Sequence, residues 1–198
     1  SISISGYKIG DEIHKGHRSV IYHAVRGEDN LPVIIKTLRA AYPTHRDVSR
    51  IKNEYEIIKN LNIQGVAHAY GLKKHDNNFV FILEYIKGES LKNFLKSNTI
   101  EIKEFLLIAA NITTILGDIH KENVIHKGIN PGNIILDPET FEAKIIDFGL
   151  STLMQSEEYG DVSPGSPEGA LAYISPEQTG RMNRAIDYRT DFYSLGVT

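Results

Sequence analysis

The sequence contains no cysteine. That excludes disulfide staples, thiolate zinc sites and thiol nucleophiles together, and it fits a reducing compartment. Net charge is also scarce: 22 Lys and Arg against 25 Asp and Glu leave −3 at neutral pH. No bulk field therefore draws the chain to nucleic acid or to an anionic membrane. Short basic pairs such as Lys73–Lys74 read as solvated surface. Long apolar runs are missing as well. Runs such as Phe79–Leu83 are far too short to span a bilayer. The opening Ser-Ile-Ser-Ile-Ser has no basic region followed by an apolar stretch, so it does not read as a secretion signal. Internal repeats and low-complexity tracts are absent. The expected location is the cytoplasm. What is present is ordinary for a folded chain: 198 residues, 41% apolar and 24% charged, enough for one substantial core or two small lobes sharing a cleft. There is no initiating Met, and Gly196–Thr198 falls inside a helical pattern; both ends lead us to expect a fragment.

Three stretches rich in β-branched and aromatic residues come first, Tyr7–Ile13, Ser19–Arg26 and Leu31–Leu38, separated by Gly, Asp and Asn turns. Thr44 with Asp47 forms a capping-box pattern. Val48, Ile51, Tyr55, Ile58 and Leu61 then recur at helical spacing. Strands are predicted near Val66–Leu72 and Phe79–Glu84. Asn98 with Glu101 reads as the start of a second helix, and Ile102, Phe105, Leu106, Ala109, Ile112, Leu116 and Ile119 as its single buried face. Short strands follow at Ile134–Leu136 and Lys144–Ile146. Ser175-Pro176-Glu177-Gln178 carries the cap residue, N1 proline and N3 glutamine of a helix start, and a last helix is predicted from near Asp187. The order is five strands with one inserted helix, then a mainly helical part, joined near Glu84–Glu89.

Several residues in this pattern suit the transfer of a phosphoryl group from ATP. Asp147-Phe148-Gly149 follows a short apolar strand, and a carboxylate at a strand end suits a hard cation that demands oxygen ligands. Asn133 closes the stretch His126–Asn133 upstream, where its side-chain oxygen could share a metal with Asp147. Lys36 ends a strand, and Glu54 lies on the inner face of the first predicted helix. A strand Lys and a facing helical Glu can pair, which holds the ammonium toward phosphates.

Taken in order, Lys36, Glu54, the His126–Asn133 loop, Asp147-Phe148-Gly149 and Ser175-Pro176-Glu177 resemble the signature set of the protein kinase family. The resemblance runs from about Tyr7 to Thr198, and Asp191 with Ser194 and Gly196 looks like the start of the family's central C-lobe helix. It implies an α+β, two-lobed kinase fold with a five-stranded N-lobe over residues 1–85 and a partial C-lobe over residues 86–198, cut before its last helices. The stretch from Ala172 to Arg184, with Asn130-Pro131 in the loop, is similar to the N-terminal kinase domain of large bacterial signalling proteins that also carry ATPase, GAF and sensor histidine kinase modules. The resemblance implies ATP and Mg²⁺ as cofactors. Lys36, paired with Glu54, would hold the α- and β-phosphates under the loop around Gly16. Asn133 and Asp147 would bind Mg²⁺. Glu84 and Ile86 would supply hinge bonds to adenine with Leu83 behind it, and Ile21, Ile34 and Ile135 would sandwich the ring. Ile58, His126 and Phe148 would stack as a column linking the lobes.

The departures from the family pattern are equally informative. The family's catalytic Asp is here Gly128, which can neither accept a proton nor orient a hydroxyl. The Thr that hydrogen-bonds that Asp in Ser/Thr kinases is Ala170, and the loop Lys is Asn130. The phosphate loop His14–Ile21 keeps only Gly16 of its glycines, and bulky residues there restrict backbone approach. In the family the positions of Gly128 and Ala170 touch, so their joint loss indicates that gripping the acceptor hydroxyl is no longer used. The expectation is an ATP–Mg-binding kinase-like domain of bacterial signalling that is a pseudokinase or strongly impaired. The alternatives are an active Ser/Thr kinase that relies on electrostatics or a substitute base, and an interaction scaffold with an empty cleft. The partner protein stays unknown, with fused ATPase and sensor modules expected. Ser151, Thr152, Ser163 and Ser166 read as a polar loop more than as phosphorylation sites.

Overall fold

The computed structural model describes residues 3–154, 171–180 and 184–198. It is an α+β chain whose residues divide into two compact units. The first comprises Ser1–Asn60 and Ala67–Tyr85, and the second Leu61–Val66 and Ile86–Thr198.

The first unit is a five-stranded antiparallel sheet. Its strands are β1 (Tyr7–Lys15), β2 (Ser19–Arg26), β3 (Pro32–Leu38), β4 (Ala69–His75) and β5 (Asn78–Glu84), in the order β1-β2-β3-β5-β4. β2 and β3 pair without interruption from Ser19 opposite Leu38 to Val25 opposite Pro32. The β1–β2 ladder shifts register between Ile9 and His14, which bends its end at the Gly16 turn. Alternation sends Ala24, Val33, Ile35, Val80 and Ile82 into one core, joined by Ile4 and fringed by Tyr7, Ile9, Tyr22 and Leu31. Helix α1 (His45–Ile58) is capped as its sequence predicts: Thr44 Oγ1 accepts from the Asp47 N–H, and the Asp47 carboxylate accepts from the Thr44 N–H. The fourth strand starts later than expected. Val66 instead makes an isolated parallel bridge to Ile145 of the second unit.

The second unit is built around α3 (Ile102–Lys121), with α2 (Leu91–Ser97), a three-stranded sheet in the order β6 (Glu89–Ser90), β8 (Ile134–Leu136), β9 (Ala143–Ile145), the pair β7 (Val124–Ile125) and β10 (Thr152–Leu153), and α4 (Arg189–Val197). α3 buries Ile108, Ile112, Ile115, Leu116 and Ile119. Its packing on the Leu61–Val66 segment leaves no room for a side chain at Gly65, where a Cβ would lie 2.1 Å from Ile115 Cγ1. The Gly65 carbonyl accepts from the Ile145 N–H at 2.8 Å.

Three further details depart from the sequence reading. Asn98 does not open the long helix. It is the C-cap of α2, whose N-cap is Ser90, and Glu101 caps α3 in a box with Glu104. The expected buried stripe of α3 holds only in its later turns, since Ile102, Phe105 and Leu106 are 75%, 54% and 58% exposed. Periodicity tells which side chains share a face, not where a covering partner ends. Ser175 and Gln178 form the expected box, but it opens a single 3₁₀ turn, Pro176–Thr179, because Gly180 adopts a left-handed conformation and stops it. The last helix begins near Asp187 as expected, at Arg189. Among the described residues no helix is long and apolar enough to cross a membrane.

Candidate active site

The first unit supplies an ion pair and an apolar face. In β3, Val33 and Ile35 point to the core, so Ile34 and Lys36 point to the opposite face. Register sets Ile21, Lys36 and Phe81 directly across from one another, with Ile34 opposite Leu83 in the next row. Ile21, Ile34, Lys36 and Leu83 therefore share one half-buried face. Lys36 Nζ donates to both Glu54 oxygens, at 2.8 and 2.7 Å. The two side chains are 12% and 3% exposed. Two charge-assisted bonds to one ammonium offset part of the desolvation that such burial costs. Tyr55 packs edge-on against Phe81 at 5.7 Å and seats α1 beside this face.

Two further residues expected at the site lie on the same unit. The Gly16 N–H donates to the Ser19 carbonyl at 2.9 Å, closing a tight turn between β1 and β2. Glu84 is tied to His68: its N–H donates to the His68 carbonyl at 2.8 Å, and its carboxylate accepts from the His68 N–H at 3.0 Å. Ile86 begins the second unit.

The second unit supplies a loop held by a set of polar contacts over buried Ile129 and Pro131. Buried Asp191, at the start of α4, accepts the N–H groups of His126 and Lys127 at 2.8 and 2.7 Å. His120 Nε2 lies 2.8 Å from the same carboxylate. Lys127 is in the left-handed region at φ 61°, a conformation that non-glycine residues hold only when the surroundings enforce it. Its carbonyl accepts from Gln178 Nε2 at 2.9 Å. The Gly128 N–H donates to His126 Nδ1 at 3.1 Å. Nδ1 must therefore be the acceptor, and Nε2 carries the proton it donates to the Ile146 carbonyl at 3.2 Å. Burial pushes the His126 pKa below its ordinary value, with the carboxylates of Asp191 and Asp147 opposing. Phe148 packs on the imidazole at 4.7 Å between ring centroids. His126 is thus a neutral strut inside the loop.

Gly128 faces ordinary surroundings. A Cβ there would sit 3.5 Å from His126 Cε1 and Nδ1 and 3.6 Å from Asn133 Nδ2. Its backbone does not adopt the positive φ that favours glycine. Neither sterics nor conformation explains the residue. Its carbonyl accepts from Asn130 Nδ2 at 2.9 Å and from Asn133 Nδ2 at 2.8 Å. With its nitrogen so engaged, the Asn133 amide keeps its oxygen as the end available to a ligand. The Asn133 carbonyl accepts from the Ile146 N–H at 3.0 Å, which brings Asn133 beside the residue preceding Asp147. Asp147 is exposed and held at φ 66°. Ile135 follows on β8, half-buried.

Within the first unit, then, Lys36 meets Glu54 on the face shared with Ile21, Ile34 and Leu83. Within the second, Gly128, Asn130 and Asn133 converge on one carbonyl, and Asp147 neighbours them through Ile146. Ala170, Ser163 and Ser166 lie outside the described residues. Sequence reasoning missed the anchoring role of Asp191 and the tie from Gln178 to Lys127, since an acid opening a helix and a glutamine in a cap both read as surface. Glu177 accepts from Thr190 Oγ1 at 2.8 Å.

Comparison with known sequences gives concordant matches. A family model described as the protein kinase domain matches residues 7–198. Serine/threonine-protein kinase A of Synechocystis is 31% identical over 96% of this chain and 39% of its own length. Serine/threonine-protein kinase PrkC of Bacillus subtilis is 28% identical over 98% of this chain and 30% of its own. A probable serine/threonine-protein kinase of Clostridium acetobutylicum is 29% identical over 96% of this chain and 29% of its own. The chain thus spans well under half the length of these relatives.

Proposed function

This chain belongs to the protein kinase family, as a eukaryotic-type serine/threonine kinase domain, and from that premise we propose that it binds ATP with Mg²⁺ but has lost most of its phosphoryl transfer. The observation that carries the reading is Gly128: its N–H and carbonyl are fully engaged in an ordered loop, yet it offers no side chain to a substrate hydroxyl. A strained or crowded position would explain a glycine by itself, and this position is neither.

The donor set fits Mg²⁺. Asn133 has its nitrogen committed to Gly128 and its oxygen available, and Asp147 is an exposed carboxylate; hard cations take such oxygen ligands. Asn133 and Asp147 would hold the ion, whose charge would offset that of the phosphates. Lys36 would contribute a second cation, oriented by Glu54. Ile21, Ile34, Leu83 and Ile135 would offer apolar contact to the adenine, and Glu84 and Ile86 its hinge bonds. Gly16 marks the loop over the phosphates. Positioning and electrostatics carry most of phosphoryl transfer, so these groups support nucleotide binding. A positioned base adds about 10²–10⁴ in rate, and that contribution is the one Gly128 forgoes. Ala170 and Asn130 remove the other two side chains associated with the acceptor.

The domain would serve as a regulatory module of a larger cytoplasmic bacterial signalling protein, a setting supported by the bacterial relatives and by the Ala172–Arg184 stretch. Thermal-shift titration tests the binding claim. ATP with Mg²⁺ at about a hundred times its Kd should stabilise the protein by ~2.7 kcal/mol, and Asp147→Ala should remove the Mg²⁺-dependent part. A flat response rejects the reading in favour of an interaction scaffold. The intact Lys36–Glu54 pair favours one second reading, an active kinase working by electrostatics alone. Radiolabel transfer to a protein substrate that Lys36→Ala abolishes would establish it.

A further inference from the structure

Asn130 stands where the family resemblance places a lysine, and both ends of its amide are consumed inside the loop. Its Oδ1 accepts from the Gly132 N–H at 2.8 Å and its Nδ2 donates to the Gly128 carbonyl at 2.9 Å. Two residues of the sequence make this possible. Pro131 biases the preceding residue toward extended backbone, and Asn130 sits at φ −167° and ψ 164° as the cap of the 3₁₀ turn Pro131–Asn133. Gly132 permits the close approach, since a Cβ there would meet Asn130 Oδ1 at 3.0 Å. The turn then returns the chain so that the Asn133 N–H donates to the Asn130 carbonyl at 2.9 Å. Asn133 Nδ2 lands on the same Gly128 oxygen, at 2.8 Å. A lysine could not make this brace, because it has no acceptor for the Gly132 N–H.

We infer that Asn130 is a positioning residue that fixes the side chain of Asn133 for Mg²⁺, instead of a group that reaches the substrate. The inference rests on the ATP–Mg²⁺ reading above. Two amides converge on one carbonyl and are joined by one turn, so Asn130 holds in place the Gly128 oxygen on which the Asn133 amide is seated. Committing its nitrogen to Gly128 presents its oxygen outward. Asn130 has thereby exchanged contact with an acceptor or phosphate for internal bracing. Metal binding and hydroxyl orientation, which a kinase loop ordinarily combines, come apart in this loop: the first is reinforced and the second is dropped.

Isothermal titration of the full chain with ATP, once with Mg²⁺ and once with EDTA, decides the matter. Loss of an outer partner of a metal ligand typically costs about 10- to 100-fold in metal affinity. Asn130→Ala should shrink the Mg²⁺-dependent gain in ATP affinity by that factor and leave affinity in EDTA unchanged, with Asn133→Ala shrinking it at least as far. An unaltered Mg²⁺ gain in Asn130→Ala overturns the inference. So does a parallel fall with and without Mg²⁺, which marks a merely structural role, and so does an unaltered gain in Asn133→Ala. If Asn130→Ala does not fold, Asn130→Ser, which keeps an acceptor for Gly132 but is too short to donate to Gly128, is read by the same comparison. Absence of ATP binding by the wild type overturns the underlying reading and this inference with it, whereas ATP binding with an Asn130-independent Mg²⁺ gain overturns the inference alone.

Discussion

Restoring an aspartate at position 128 is the sharpest perturbation this loop allows. The structural cost is small. A Cβ at Gly128 enters ordinary van der Waals contact, at 3.5 Å from His126 Cε1 and Nδ1 and 3.6 Å from Asn133 Nδ2. The backbone needs no left-handed conformation there, so Gly128→Asp also gains from the lower chain entropy of a non-glycine residue in the unfolded state. The three bonds at position 128 use only the backbone N–H and carbonyl of that residue, with side chains of His126, Asn130 and Asn133 as partners, and survive the change. The kinetic gain follows from what a positioned base supplies, about 10²–10⁴ in rate, or roughly 3–5 kcal/mol of barrier at about 1.4 kcal/mol per decade. We expect Gly128→Asp, and more fully Gly128→Asp with Ala170→Thr, to raise transfer of radiolabelled γ-phosphate to a protein substrate by at least two orders of magnitude. ATP–Mg²⁺ affinity and the melting temperature should stay close to wild type. The reasoning is refuted if the variant folds and binds nucleotide as the wild type does while transfer rises by less than tenfold, or if the wild type already transfers at the repaired rate.

Two further outcomes follow from buried charge and burial of an imidazole. Lys36→Met leaves Glu54, 3% exposed, without its ammonium; removing one partner of a buried pair typically costs about 3–5 kcal/mol, so denaturant unfolding should show a loss of that order, with Glu54→Gln costing less. His126 is held neutral because burial lowers its pKa, so the unfolded chain binds a proton at a higher pH than the folded one. Stability is then fully present above the ordinary histidine value of about 6.5 and falls as pH drops below it, by at most ~1.4 kcal/mol per pH unit. Chemical denaturation between pH 7.5 and 5 should show that slope, and it should flatten in His126→Gln; a slope unchanged by the substitution would assign it to other groups.

The first unit was readable because its signals are local. β-branched runs and Gly or Asn turns mark the strands, and Thr44 with Asp47 marks the start of α1 through bonds confined to one helical turn. Lys36 and Glu54 were readable as partners because each lies on an element whose face the pattern fixes. The second unit was less legible. Ser90 caps α2 with a bond to the Asn93 N–H, but Asn98, three residues before Glu101, imitates the same signature without making the contact. Ile102, Phe105 and Leu106 continue the period of α3 while lying exposed, because periodicity carries no information about what lies opposite. The loop was legible in its residue types, not in its bonds. Asp191 anchors two N–H groups more than sixty residues upstream, and no local pattern encodes so distant a partnership. Asn130 looked like a missing lysine in sequence, and only its hydrogen bonds give it a task.

The route of the chain between α1 and β4 has a consequence for biosynthesis. Leu61–Val66 belongs to the second unit, although sequence on both sides of it belongs to the first. When the first unit emerges from the ribosome, this segment emerges with it, but α3 and the Ile145 N–H that donates to the Gly65 carbonyl have yet to be made. Until they are, Leu61 and Val66 remain wet, and Gly65 waits for the isoleucine that will leave it no space. No single cut releases the amino-terminal sheet as a clean piece: any such product carries an apolar tag whose partner is on the other fragment.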